Sequence, residues 1–216
     1  MKQKNLFIAV IALLILVFAG GAFFYKNQQA QAAAQLAQQN MAALVRADAP
    51  SFGNPNAPVH IVEFFDPACG TCREFYPLVK AMMTAHPEKI RLSMRYAPFH
   101  PGSESVVKVL EASRKQGKFE QTLAALFAGQ DKWVLNHTAN VQLTGPILET
   151  LGMDMAKLQS DANAPEVATM IARDLADAKT MNVTMTPEYF VNGKPLPQFG
   201  LDELKRLVDS ELANTQ

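Results

Sequence analysis

The chain has 216 residues, 49% of them hydrophobic, enough for one domain with a sizeable core once an apolar N-terminal run is set aside. Lys plus Arg equals Asp plus Glu at 20 each, so no basic excess points to nucleic acid and no block of like charge points to a disordered tail. The two cysteines, Cys69 and Cys72, are three positions apart. Bridging them closes almost no loop, which makes stapling a poor reason for the pair. A structural zinc site needs about four ligands, and His60, His86, His100 and His137 are scattered without ligand spacing. Redox chemistry is the leading reading of the pair.

Leu6 to Tyr25 runs for twenty residues without a charge. At about 1.5 Å per residue such a helix spans about 30 Å, one hydrocarbon core. Lys2 and Lys4 precede it and favour a cytoplasmic N-terminus. The expectation is a signal-anchor: a short tail over 1–5, a single transmembrane pass of the inner membrane over 6–25, and the remainder in the periplasm or cell exterior. The alternative is a cleaved signal peptide, with small residues from Ala19 to Ala22 as a cleavage site. The length of the run favours the anchor, and both readings export the domain to where disulfides form.

Residues 26–46 are rich in Ala and Gln without Gly or Pro, which predicts a helical stalk. Ala33, Leu36, Asn40 and Ala43 follow a 3-4-3 spacing, compatible with a short coiled coil and a homo-oligomer, or simply with a solvated spacer. Pro50, Gly53, Pro55 and Pro58 open the domain proper, placed at 47–216. The dense apolar run 59–65 reads as a central strand covered on both faces. A turn at Asp66-Pro67 leads to a helix over about 69–86, and residues 90–96 alternate as a second strand, which makes a parallel βαβ unit. From about 103 to 180 the pattern is helical, divided near Gly117, at 129–136, at Gly152 and at Pro165. Residues 182–185 and 189–191 read as short strands, Asn192-Gly193 as a tight hairpin turn, and 201–212 as a final helix.

A C-x-x-C at the start of a helix that follows a buried strand has a physical purpose. Helix N-termini carry partial positive charge and free N–H donors, so a thiolate at Cys69 is stabilised, and Cys72, one turn on, resolves a mixed disulfide. The segment from Phe64 to Cys72 resembles the active-site turn of the thioredoxin superfamily, and Pro77 resembles the proline that kinks its active-site helix. Glu63-Phe64-Phe65 is similar to the segment before the active site in the DsbA family. Thr186-Pro187 before Tyr189 to Gly193 resembles that family's cis-proline loop and hairpin, and the helical insertion fits as well. The resemblance covers about 50–213.

It implies an α/β thioredoxin-like fold and a thiol–disulfide oxidoreductase that oxidises dithiols of exported proteins through Cys69 and Cys72. It implies no metal or organic cofactor, and a membrane redox partner of the DsbB or DsbD kind. Glu63 is implied as a buried proton relay to Cys72; a strand-end Glu paired with a Lys is the alternative. Pro187 is implied to pack on the disulfide, with Gly70, Thr71 and the Thr186 backbone binding substrate. Two positions depart from DsbA: Thr71 stands where DsbA has a histidine, and Thr186 is similar to the residue in the isomerases DsbC and DsbG. A disulfide isomerase or reductase therefore remains an alternative direction. A copper-binding module is a further alternative, since ten methionines are present and thioethers suit Cu(I), although most sit in core-like patterns. His100, in Pro98-Phe99-His100-Pro101, is a loop residue, either near the active site or, as such histidines more often are, merely exposed.

Overall fold

The computed structural model describes residues 2–215. Helix α1 (Lys2–Leu44) leads into a five-stranded sheet of order β1-β3-β2-β6-β7. Its centre is β2 (Val59–Phe65), buried along its whole length, as the apolar run requires. β3 (Ile90–Tyr96) pairs parallel to β2 in register Val59–Ile90 to Phe65–Tyr96, and the crossover is α2 (Gly70–Ala85). This is the expected βαβ unit. The two-residue β1 (Ser51–Phe52), too short to carry a sequence pattern, adds antiparallel to β3.

The helical insertion comprises α3 (Ser103–Lys115), α4 (Phe119–Ala128), α5 (Gln130–Trp133), a small hairpin β4 (Val134–Leu135) and β5 (Thr138–Ala139), then α6 (Gly145–Glu149), α7 (Met155–Ala162) and α8 (Pro165–Thr180). Its breaks fall where Gly117, Gly129, Gly152 and Pro165 stand. The β4–β5 hairpin was hidden because its turn residues, Asn136 and His137, both take positive φ without a glycine to announce it. The chain returns to the sheet as β6 (Glu188–Val191) and β7 (Lys194–Pro195), turning at Asn192-Gly193, and ends in α9 (Leu201–Ala213).

The strand expected at 182–185 does not form. Asn182 turns left-handed, and the Val183 N–H bonds back to the Ala178 carbonyl at 2.8 Å, closing α8. Val183 then plugs the second apolar layer, while Met185 is exposed.

Alternation along β2 builds two cores. Val59, Ile61 and Phe65 face α2 and the insertion, together with Cys69 and Cys72. Val62 and Phe64 face the other side, with Leu44, Ala97, Ala178, Val183 and Phe190. Burying such a side chain is worth about 1.5–3 kcal/mol.

The N-terminal region departs from a span followed by a free stalk. α1 is one helix, and its last two turns belong to the domain: Ala37 and Leu44 are buried and the Asn40 amide donates to the Gly193 carbonyl at 2.8 Å. The coiled-coil seam is thus partly consumed within the chain, leaving Ala33 and Leu36 exposed. Gly193 is required here: a Cβ on it would meet the Ala37 carbonyl oxygen at 2.1 Å, and its φ is +80°. Among the described residues no helix is long and apolar enough to cross a membrane. The side chains of Leu6, Ala9 and Ala12, part of the expected span over 6–25, lie outside the described residues.

Candidate active site

Asp66 organises the turn between β2 and α2. It is fully buried. Its Oδ1 accepts from the Ala68 N–H at 2.8 Å and from the Ser103 hydroxyl. Its Oδ2 accepts from the backbone N–H and the Nδ1–H of His100, each at 2.8 Å. The Cys69 N–H bonds to the Asp66 carbonyl at 3.0 Å. The Pro98–Ser103 loop, which lies one strand away, is thereby tied to the dithiol turn. His100 does lie at the site, by way of Asp66. Gln130, from the insertion, completes the frame by donating its amide to the carbonyls of Pro67 at 2.9 Å and Cys69 at 3.1 Å. Neither the anchoring role of Asp66 nor that of Gln130 was read from the sequence. An Asp before Pro signals a turn, but nothing local marks a glutamine 61 residues downstream.

Asp66→Ala would leave four donors without their acceptor. Hydrogen bonds to charged groups are worth about 1.5–3 kcal/mol each, so a loss of at least about 3 kcal/mol is expected in urea unfolding, with Asp66→Asn clearly milder.

Cys69 is the N-cap of α2, and Cys72 lies one turn inside. Both are reduced. Cys69 is 6% exposed and Cys72 is 0% exposed, so Cys69 is the outer thiol, a recessed group rather than an open one. The hydrogen bond from the Cys72 thiol, the Thr186 hydroxyl, and the N–H groups of Cys72 and Thr71 pull the Cys69 pKa down to about 5, against the opposing effect of burial. Burial, the neighbouring Cys69 and Glu63 push Cys72 well above the ordinary thiol range.

The Thr186–Pro187 bond is cis, as the resemblance implied, and Pro187 is buried. The Thr186 carbonyl accepts from Cys69 Sγ at 3.2 Å. Gly70 is exposed and Thr71 half-buried beside it. Around this opening Phe99, Met185 and Phe199 are 43%, 54% and 50% exposed, with Phe199 stacked on Phe75 of α2 at 5.4 Å.

Glu63 points from β2 toward the same side as the cysteines and is 1% exposed. Among the described residues no lysine pairs with it, which goes against the ion-paired alternative. Its Oε2 and the hydroxyl of Tyr189, its cross-strand neighbour, each lack a well-formed hydrogen bond. Burial raises the Glu63 pKa to about 8, with the Tyr189 hydroxyl lowering it in part and Cys69 adding to the rise. A carboxyl poised near neutral pH next to Cys72 can give or take a proton. General acid–base assistance is worth up to about 10²–10⁴, so Glu63→Gln is expected to slow exchange by about tenfold to a hundredfold near pH 7 with the fold intact. Stopped-flow fluorescence checks this, and unchanged rates would make Glu63 structural.

Among the described residues no group of three or more His, Cys, Asp or Glu side chains is placed to hold a metal ion.

A dithiol at the N-terminus of α2, a cis-proline loop against it and a six-helix insertion over a parallel βαβ unit define a thiol–disulfide oxidoreductase of thioredoxin type. Residues 45–210 match the family model described as Thioredoxin, and the chain belongs to that family as a DsbA-like oxidoreductase. It is similar to a thioredoxin-like oxidoreductase from Silicibacter pomeroyi DSS-3, with 31% identity and a TM-score of 0.69, covering 82% of this chain and 98% of that one. The fold is shared with oxidised BdbD from Bacillus subtilis, at 24% identity and a TM-score of 0.67, covering 76% and 93% of the two chains. A stretch of 149 residues is 29% identical to part of the Na(+)/H(+) antiporter NhaA 1 of Mycobacterium sp. (strain KMS). That match takes in 66% of this chain and 23% of the antiporter, so the chain spans about a quarter of the length of the curated antiporters it matches.

Proposed function

We propose that the protein oxidises dithiols in exported proteins through a Cys69–Cys72 disulfide. The observation that carries this is the contrast between the two thiols: Cys69 is held near pKa 5 while Cys72 is buried and pushed upward. A substrate thiolate attacks Cys69 of the disulfide. The Cys69–Cys72 bond breaks, and Cys72 leaves with the proton of neutral Glu63. A second substrate thiolate then attacks its own sulfur in the mixed disulfide, and Cys69 departs as a stabilised thiolate. The substrate has lost two electrons and the enzyme carries them as a dithiol. Pro187 packs against the pair, and Thr186, Gly70 and Thr71 line the place where an extended substrate backbone docks, a form of strand addition.

Reoxidation falls to a membrane redox partner, DsbB-like for an oxidase; a DsbD-like donor would instead keep an isomerase reduced. The N-terminal segment serves as the anchor that holds the domain on the outer face of the cytoplasmic membrane. What supports this is the uncharged run over 6–25 and the lack of any protein face covering Phe7, Leu13, Leu16, Phe18, Phe23 or Phe24, each at least 60% exposed. A helix apolar all round belongs in lipid or in a core.

Direction is tested by the reduction potential. A disulfide oxidises well when its reduced form is stabilised. Cys69 has the helix terminus and the Thr186 contact but Thr71 supplies no charge, so a potential between about −270 mV (thioredoxin) and about −120 mV (DsbA) is expected. Equilibration with glutathione measures it. Thr71→His should shift it toward the oxidising side, and a potential below that of thioredoxin would turn the reading to a reductase.

A further inference from the structure

We propose that α1 and the catalytic domain are one rigid body that holds the dithiol facing away from the surface in which the apolar segment is embedded, so that substrates, and the membrane redox partner as well, meet it through polypeptide segments that carry their cysteines clear of the bilayer. This deepens the anchoring reading and rests on it.

The direction of α1 is fixed at two points. Near its end, Ala37 and Asn40 lie against Gly193 in the β6–β7 turn. The register of β6 on β2, with Val191 opposite Ile61 and the Asn192 N–H bonded to the His60 carbonyl, places that turn at the start of β2. Cys69 follows the other end of β2, beyond Phe65. The last carbonyls of α1, those of Ala43 and Leu44, accept from Arg95 at 3.0 and 2.8 Å. Arg95 is opposite Phe64, near the cysteine end of the sheet. α1 therefore runs across the sheet toward the cysteine end, and its N-terminal part leaves past the β6–β7 turn at the remote end.

This docking is not a loose contact. Arg95, fully buried, also bonds Asp174 at 3.0 and 2.8 Å and Asp177 at 2.5 Å. Arg46, just after the helix, grips Asp177 with two bonds at 2.9 and 2.8 Å. Arg173 reaches Asp48 at 3.0 Å. Between Tyr25 and Ala37 the helix is unbroken, so the twelve-residue step holds the nearest edge of the domain about 18 Å from the end of the apolar run. The cysteines stand beyond that edge by the length of β2, at about 3.3 Å per residue.

The test uses the full chain in phosphatidylcholine vesicles, with flotation to verify attachment. Reduced Cys69 attacks a pyridyl disulfide, a mixed disulfide forms and pyridine-2-thiolate leaves, which absorbance follows. One arm supplies the reagent in solution and the other couples it by a short tether to phosphatidylethanolamine in the same vesicles. The expected result is full reactivity with the soluble reagent and at least a hundredfold slower reaction with the tethered one. A flexible Gly-Ser insertion between Gln31 and Ala32 should raise the tethered rate at least tenfold. Fast tethered labelling of the intact helix, or no gain on insertion in chains that float, overturns the proposal. Failure to float overturns the anchoring itself, and is read before either rate.

Discussion

Iodoacetamide is expected to modify Cys69 alone in the reduced protein, with a rate that rises through pH 5 and is flat above about pH 6. The midpoint is the Cys69 pKa of about 5. At pH 6 such a thiol is about 90% thiolate, against about 0.1% for one at the reference value of 9.0. Nucleophilicity falls with pKa at a Brønsted slope of about 0.4–0.5, which takes back about sixtyfold over four units. The balance is a gain of about fifteenfold at pH 6 that vanishes near pH 7. The low pKa therefore makes Cys69 a good leaving group at all pH and a better nucleophile only in acid. Linkage gives a second readout. A depressed pKa stabilises the reduced fold above the unfolded pKa, and that contribution is lost as pH falls from about 9 to about 5. Glu63 acts oppositely: its raised pKa costs stability as pH climbs toward about 8, chiefly through burial, which both redox forms share, and further in the reduced form, where the Cys69 thiolate adds to the rise. The difference in stability between the two forms removes the burial part of the Glu63 contribution and should favour the reduced form progressively from pH 5 to 9. A flat difference, or labelling of Cys72 at the rate of Cys69, would reverse the assignment.

Arg95→Met is expected to cost about 3–5 kcal/mol, the usual consequence of removing one partner from a buried ion pair. It strands Asp174 and Asp177 and leaves the carbonyls of Ala43 and Leu44 without their donor. Burial works to raise the Asp177 carboxyl, but the bonds from Arg46 and Arg95 outweigh it and hold it below the usual range. Urea unfolding measures the loss. Adding Asp174→Asn and Asp177→Asn to Arg95→Met should recover a large part of it, because neutral amides need no counter-charge. If the triple variant is no better than the single one, the damage is lost packing around Phe64, over whose ring the guanidinium lies at 5.3 Å.

Those two sites were unequally legible in the sequence. The dithiol turn was readable because its chemistry is local: a buried strand, a turn and a helix start within fourteen residues, from Val59 to Cys72. Glu63 was readable as an acid amid apolar neighbours. The cis bond at Pro187 followed from resemblance rather than from any local pattern. Arg95 was hidden in plain alternation. Arg91, Ser93 and Arg95 mark a strand by alternating with apolar residues, and nothing in that pattern announces that α1 and α8 cover the face on which Arg95 is 0% exposed. Period-two patterning tells which residues share a face, not what later covers it. The packing of the last two turns of the helical stalk was hidden for the same reason. Ala37, Asn40 and Leu44 look like parts of a spacer until the β6–β7 turn, 153 residues beyond Asn40, arrives to meet them. Gln130 was unreadable because its two acceptors are backbone carbonyls far back in the chain.

The same long reach has a consequence for a chain made from its N-terminus onward. Cys69 and Cys72 leave the ribosome early, but Thr186, whose hydroxyl helps lower the Cys69 pKa and whose carbonyl faces its sulfur, is 117 residues behind. Until that stretch has been synthesised and the sheet has closed, the pair lack the Thr186 donor and the cis-proline loop. The setting of the dithiol is thus completed only with the fold, and a nascent or truncated chain ending before residue 186 carries the motif without the loop that faces it.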